Sequence, residues 1–252
     1  MIHEYGVYIP GAAAPDERSI DALSRAAELS RIDAQMLLAS PLPKRVRSEP
    51  TSAAAAERVR LLREGGFDAF VVTAEALARV KPVRAKSFRF EGGGLRLDPA
   101  EASFEPGTLR LIVLGEILTG LRVDKAVRTP RLYGAPVVER VTGERRSSGE
   151  RFLHLYGEGH ERVVEIRPQS FNFRALGAEF GPALSGNVAK FLERLRGLFP
   201  DVRSDDALLR SPPMPDDLGE AGGRLDHAVH KEGNEEAAMR TSTLIALDIL
   251  RR

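Results

Sequence analysis

Cysteine is absent from the 252 residues, which excludes a disulfide framework, a thiolate nucleophile and any cysteine-ligated zinc or iron–sulfur centre. Neither sign of charge is in excess. The 37 lysines and arginines stand against 36 acids, a formal net charge of +1, so the chain as a whole has no attraction to nucleic acid or to an anionic membrane. No apolar run approaches the roughly eighteen residues of a membrane-spanning helix. The opening MIHEYGVYIPGAAAP lacks the basic start and long apolar core of a signal peptide. These absences lead us to expect a soluble, cytoplasmic protein. Two catalytic signatures are missing as well: the Gly-x-Ser-x-Gly of a nucleophile elbow and the Gly-x-x-x-x-Gly-Lys-Ser/Thr of a phosphate-binding loop.

What is present is enough apolar sequence, 42% of residues, for two small cores in a chain longer than a typical domain. The most informative stretch runs from Pro41 to Thr73. Thr51 can cap a helix over Ser52 to Glu64, in which Ala55, Val59 and Leu62 share one face at spacings of three and four. Gly65 and Gly66 then stop that helix, and Phe67, Ala69, Phe70, Val71 and Val72 form a run expected to be a strand covered on both sides. Upstream, Tyr5 to Ile9 reads as a strand and Pro15 to Ser30 as a helix with Ile20, Leu23 and Ala27 inward. A shorter helix capped by Asp33 follows, with Met36 and Leu37 as its expected core side chains before Pro41 and Pro43 break the pattern.

The resulting order is strand, helix, helix, strand, helix, strand. Together with Pro43, Lys44 and Val46 ahead of Thr51, Ala55, Leu62 and Gly66, it resembles the C-terminal domain of the bacterial ribosomal stalk protein and, more loosely, the Clp protease adaptor that shares its fold. The resemblance covers the first third of the chain and implies that residues 1–75 form one α/β domain. The stalk domain recruits translational GTPases through a lysine-rich helical face. The corresponding helices here, PDERSIDALSRAAELSRIDAQMLL, contain no lysine, so the resemblance carries a fold and no functional residues.

After a short helical connector from Thr73 to Val80 the periodicity changes. Phe88 and Phe90 alternate with arginine, Glu91 to Gly94 forms a turn, and Leu95 and Leu97 alternate again, which is a hairpin. Leu109 to Leu121 and Val137 to Val141 read as strands, and Phe152 to Tyr156 with Val163 to Arg167 as a second hairpin. A helix starting at Ser185 or Asn187 and ending before Pro200 carries Val188, Phe191, Leu192, Leu195 and Leu198 on one face. Strands closed by one amphipathic helix resemble the pleckstrin-homology-like architecture, by order of elements alone, over residues 83–200. Residues 201–234 are rich in proline, glycine and acid. From Asp201 to Met239 there are ten acids against four bases, so we expect a flexible linker. Residues 235–252 recover helical periodicity.

Candidate sites are few. Leu244, Leu247 and Leu250 form a stripe on that last helix, which either docks on its own protein or waits at the end of a tether for a protein partner. Phe171 and Phe173, amid polar residues, form either core or a recognition groove beside the closing helix. Arg122, Arg128, Arg145 and Arg146 belong to the densest basic stretch, which holds eight bases against four acids between 122 and 151. It could meet anionic lipid or RNA phosphate. A solvated loop is the ordinary alternative, since only Tyr133 is available for stacking on bases. His227 and His230 have a spacing suited to a metal but no third ligand, and His154 and His160 flank a turn. Asp205 with Asp206 and Asp216 with Asp217 read as solvated or capping pairs. No residue is assigned to catalysis, a cofactor or a metal. We therefore expect an α+β protein of two domains and a C-terminal helix, with a non-catalytic, adaptor-like role. The alternative is a small-molecule-binding protein or enzyme that uses the interdomain cleft.

Overall fold

The computed structural model describes residues 5–11, 15–119, 122–129, 137–144, 148–158, 162–211, 229–230 and 235–252; for 119, 122–129, 137–144, 148 and 229–230 it describes the backbone alone. Strand β1 (Tyr5–Ile9) lies between β2 (Lys44–Glu49) and β3 (Phe70–Thr73) in an antiparallel sheet. Helices α1 (Glu17–Ala27), α2 (Arg31–Leu38) and α3 (Ser52–Glu64) cover one face of it, where Val7 and Ile9 meet Leu23, Ala34, Ala55 and Leu62. This is the expected order of elements.

Local hydrogen bonding explains the helix boundaries. Asp16 accepts from the Ser19 amide at the start of α1, and Thr51 accepts from the Ala54 amide at the start of α3. The cap of α2 is Ser30 rather than Asp33: its hydroxyl accepts from the Asp33 amide at 3.1 Å and donates to the Asp33 carboxylate at 2.6 Å. Starting the helix there turns Ala34 and Leu38, four residues apart, toward the core. Met36, expected inside, is 69% exposed, and Leu37 is only partly buried. Gly66, at φ 88°, supplies the left-handed turn between α3 and β3. Val71 is also an exception to expectation, at 38% exposed, because β3 is an edge strand; Phe70 and Val72 on its other side are buried. Arg58 fastens this unit together, donating to the Ala26 carbonyl at 2.9 Å and to Glu49 at 3.2 Å.

Helix α4 (Ala74–Arg79) leads to a five-stranded sheet in the order β12 (Arg203–Asp206), β7 (Leu111–Thr119), β10 (Ser148–Tyr156), β11 (Val163–Ile166), β4 (Val83–Ala85). Both faces of this sheet are buried, and the strands sort their side chains by strict alternation. Leu153, Leu155, Val164 and Ile166 face the hairpin β5 (Ser87–Glu91) and β6 (Gly94–Asp98) together with helix α5 (Leu184–Leu198). Phe152, Tyr156 and Val163 face the opposite way, against α6 (Ala207–Arg210) and α7 (Glu235–Leu250). Gly115 on β7 lies directly opposite Phe152, and a Cβ there would come within 2.2 Å of the phenyl ring. On the α5 side the core is aromatic: Phe88 stacks on Phe171 at 5.6 Å and meets Phe191 edge-on at 4.7 Å.

Two expectations about loops are corrected. The described part of the basic stretch is strand rather than loop: β8 (Arg122–Thr129) pairs along its length with β9 (Val137–Glu144), and β13 (Val229–His230) pairs with β8. These three strands form a sheet of their own in the order β13, β8, β9. Residues 201–211, expected as linker, contain β12, which adds parallel to β7, and α6, whose Ala207 and Leu208 are buried. A polar edge strand lacks the apolar signal by which buried strands are read, which is why RSDD passes for linker. The rest of the expected tether, 212–228 and 231–234, lies outside the described residues.

Leu192, at 7% exposed in the α5 core, should lose about 2–5 kcal/mol of stability on truncation to alanine. Met36→Ala, on an exposed face, should stay within about 0.5 kcal/mol of the parent. Urea titration followed by circular dichroism separates the two, and an unchanged midpoint for Leu192→Ala would contradict the packing described.

A buried polar cluster beneath the C-terminal helix

Helix α7 lies across the five-stranded sheet with Ala238, Ile245 and Ala246 against the apolar part of that face. Beneath it the strands also bring polar groups inward, because the alternation that buries Phe152 and Val163 buries His154 and Glu165. Register sets His154 directly opposite Glu165, and Ser242 descends onto them from the middle of α7. His154 and Ser242 are both fully buried.

The Ser242 hydroxyl lies 2.8 Å from His154 Nδ1 and 2.8 Å from the Tyr156 hydroxyl. His154 Nε2 lies 3.6 Å from Glu165 Oε2 and has no hydrogen-bond partner. Glu165 accepts from Arg84 at 2.7 Å and from Arg167 at 2.9 Å, and Arg167 reaches on to Glu150 at 3.0 Å and to Glu235 at 2.5 Å. The heavy atoms suit a chain of one direction: Tyr156 donates to Ser242, Ser242 donates to His154 Nδ1, and His154 Nε2–H faces the Glu165 carboxylate.

Charge is distributed accordingly. Burial opposes ionisation of Glu165, but the facing His154 imidazole and hydrogen bonds from Arg167 and Arg84 outweigh it and hold its carboxyl at about 2, below its ordinary 4.5. Burial lowers the affinity of His154 for a proton, against the pull of Glu165, so the imidazole is neutral at pH 7. Burial pushes the Tyr156 hydroxyl up to about 12.

Hydroxyl, imidazole and carboxylate in series are the groups of a nucleophilic triad. This arrangement is closed to substrate, however. Ser242 sits within a helix with its oxygen shared between two buried partners, and Ser242, His154 and Glu165 line none of three concavities found among the described residues. The cluster fixes α7 in place. Among the described residues, no group of three or more histidines or acids could hold a metal ion, and no helix is long and apolar enough to cross a membrane.

The concavities lie elsewhere. A groove of about 370 Å³ at the start of α5 is walled by Leu114, Leu153, Val188 and Leu209, with Leu184 41% exposed at its mouth and Glu116 and Arg151 also lining it. A cleft of about 410 Å³ opens between the N-terminal sheet, α4 and the first half of α7. A hollow of about 470 Å³ beside the β5–β6 hairpin is lined by Arg89, Arg96, Asp98 and Asn172.

No family model, no curated protein and no solved structure matches the chain.

The candidates read from the sequence are placed as follows. Leu244 is buried against Tyr8, Phe70 and Val72 of the N-terminal sheet, Leu247 packs partly on the same cluster and Leu250 on the α7-side core. The stripe expected to seek a partner is thus docked on its own protein. Phe171 and Phe173 are 6% and 3% exposed, with ring centroids 5.7 and 5.9 Å from Phe191, so of the two alternatives they form core and leave no groove between them and the helix. Arg122 and Arg128 lie in β8, where register sets Glu144 opposite Arg122 and Asp124 two positions on. Arg145, Arg146, His160, His227, Asp216 and Asp217 lie outside the described residues, and His230 pairs with Arg122 in β13. Asp205 accepts from the Ala207 amide and Asp206 pairs with Arg210, which are capping and surface roles.

The sequence reading missed Ser242, Glu165 and Arg167 altogether. Its available signal was a polar residue at an inward position of an otherwise apolar strand, in FLHLY and VVEIR.

Replacing Ser242 by alanine leaves His154 Nδ1 buried without a partner and takes one from the Tyr156 hydroxyl, and should cost about 1–3 kcal/mol in thermal or chemical unfolding. Stability should also depend on pH with a definite sign. Unfolded histidine takes up a proton near 6.5 while buried His154 resists, so its contribution is complete above that pH and declines as pH falls below it. The Glu165 contribution is complete above 4.5 and is lost between 4.5 and about 2. The Tyr156 contribution holds below 10 and is lost between 10 and about 12. Melting temperatures from pH 3 to 11 measure this, and His154→Gln should flatten the limb between pH 6.5 and 4.5.

Proposed function

We propose that the protein is a non-catalytic interaction module, adaptor-like in role, that contacts a protein partner through the groove at the start of α5. The observation that carries this reading is the contrast between two sites. The Ser242–His154–Glu165 series, which has the groups for catalysis, is sealed under α7, whereas the groove at the start of α5 leaves an apolar surface open, with Leu184 exposed at its mouth. Apolar side chains of a partner segment would occupy the space between Leu114, Val188 and Leu209, with Glu116 and Arg151 available to polar groups at its border.

The enzyme alternative receives less support. The cleft between the two units is lined by a single carboxylate, Glu236, and by no histidine, so it lacks a paired acid and base. The resemblance of residues 1–75 to stalk and adaptor domains favours an interaction role by analogy of fold alone.

Leu184→Asp should leave the melting temperature within a few degrees of the parent, since the residue is 41% exposed. Affinity capture of the tagged full chain from its native cell, followed by mass spectrometry, should then lose its specific partners in this variant. An unchanged partner set would remove the groove from the contact.

A further inference from the structure

The N-terminal sheet is covered on its second face by α7, but only in part. Leu244 packs on Phe70, Val72 and Tyr8, and the side of the face toward β2, where register aligns Gly6 with Ser48 and Tyr8 with Arg45, stays open as the cleft of about 410 Å³. We propose that this cleft is a binding site for a small amphipathic carboxylate, with its apolar body between the sheet and α7 and its anionic group on Arg45. The inference stands independently of the interaction role assigned to the α5 groove.

Three observations carry it. The first is charge. Arg47 on the same strand, and Arg58 and Arg60 on α3 across the sheet, are each paired with glutamates, but Arg45 on the cleft face has no acidic partner among the described residues. The second guanidinium of the cleft, Arg240, is 3.2 Å from Glu236, the one carboxylate in the lining, so Arg45 is the charge left to be balanced. A guanidinium presents a planar fork that matches a carboxylate.

The second observation is shape. Position 6 must be glycine here, because a Cβ would lie 2.6 Å from the Tyr8 ring. The floor of the cleft is therefore bare backbone and an aromatic face, the surface on which an acyl chain or an aryl ring packs.

The third is the wall. Helix α4 buries none of its own residues, and Leu77 and Ala78 contribute one side of the cleft while Val72, Val80 and Met239 complete it. The volume falls within the range of small-molecule sites, and the lining divides between this apolar wall and the polar groups of Arg45, Ser48, Glu236 and Arg240, as an amphipathic ligand requires. The Ser48 hydroxyl adds a neutral donor near Arg45.

Isothermal titration of the full chain with octanoate and with 4-phenylbutyrate, each paired with its neutral alcohol, tests the assignment. The expected result is saturable one-site binding of at least one acid, at least tenfold weaker binding of the corresponding alcohol, and a loss of at least tenfold in affinity in Arg45→Gln. Arg45 is exposed, so the variant should melt with the parent; a variant that does not is replaced by Leu77→Trp, which fills the cleft and should abolish binding. Absence of saturable binding by both acids overturns the proposal. So does equal binding of acid and alcohol, or retention of full affinity in Arg45→Gln, since either outcome would show adsorption to apolar surface without recognition of the anion.

Discussion

A helix can lie on the polar part of a buried sheet face only if the donors and acceptors it covers are partnered. Ser242 meets that condition for α7 by engaging His154 and Tyr156 at 2.8 Å each. Without that hydroxyl, docking the helix would strand an imidazole nitrogen away from water and weaken the bonding of a buried phenol. With it, the apolar residues on either side, Ala238 and Ile245, can bury themselves on the sheet. Glu165 and Arg167 extend the same logic. Each is nearly fully buried, and each is compensated by the other and by neighbours on β4, β10 and α7. Such a cluster specifies one seating of the helix more than it adds stability, because desolvating the ions offsets much of their attraction.

The seating matters because α7 serves two cores at once. Its sheet-facing side belongs to the β-rich unit, whereas Leu244 and Leu247 belong to the N-terminal one. Its two ends are held by opposite partners: Glu235 by Arg167, and Arg251 by Asp68 at 2.9 Å with its guanidinium 4.7 Å from the Phe70 ring. The C-terminal helix thus joins the two units. Where it covers the N-terminal sheet there is core, and where it stops short there is the cleft at Arg45. The α5 groove lies on the other side of the β-rich sheet, so the two open surfaces are separated by the layer that carries the polar cluster.

Much of the fold was legible in local sequence. The Thr51 cap, the Ala55, Val59 and Leu62 stripe, the β5–β6 hairpin and the Phe191, Leu192 and Leu195 face are each specified by residues a few positions apart, and each stands where periodicity places it. Failures follow a pattern too. Asp33 lost the α2 cap to Ser30, three residues earlier, and the frame of the helix moved with it. The polar strand β12 and the basic strand β8 carry no apolar alternation, so their pairing with β7 and β9 could not be read from either segment alone.

The candidate site was almost wholly illegible. Ser242 and His154 are separated by 88 residues, and Arg167 and Glu235 by 68, so no local spacing relates them. What the sequence by itself determined is the set of elements, their amphipathic faces and the exclusion of thiol and cysteine–metal chemistry, because caps, turns and periodicity act over one or two helical turns. Only the tertiary structure decided that the C-terminal stripe is core instead of an unoccupied recognition helix, and that His154 is a buried, partnered group. The reason is physical: an apolar stripe or a histidine in a strand has the same local sequence whether water, a partner or its own chain covers it, and only long-range packing supplies the cover.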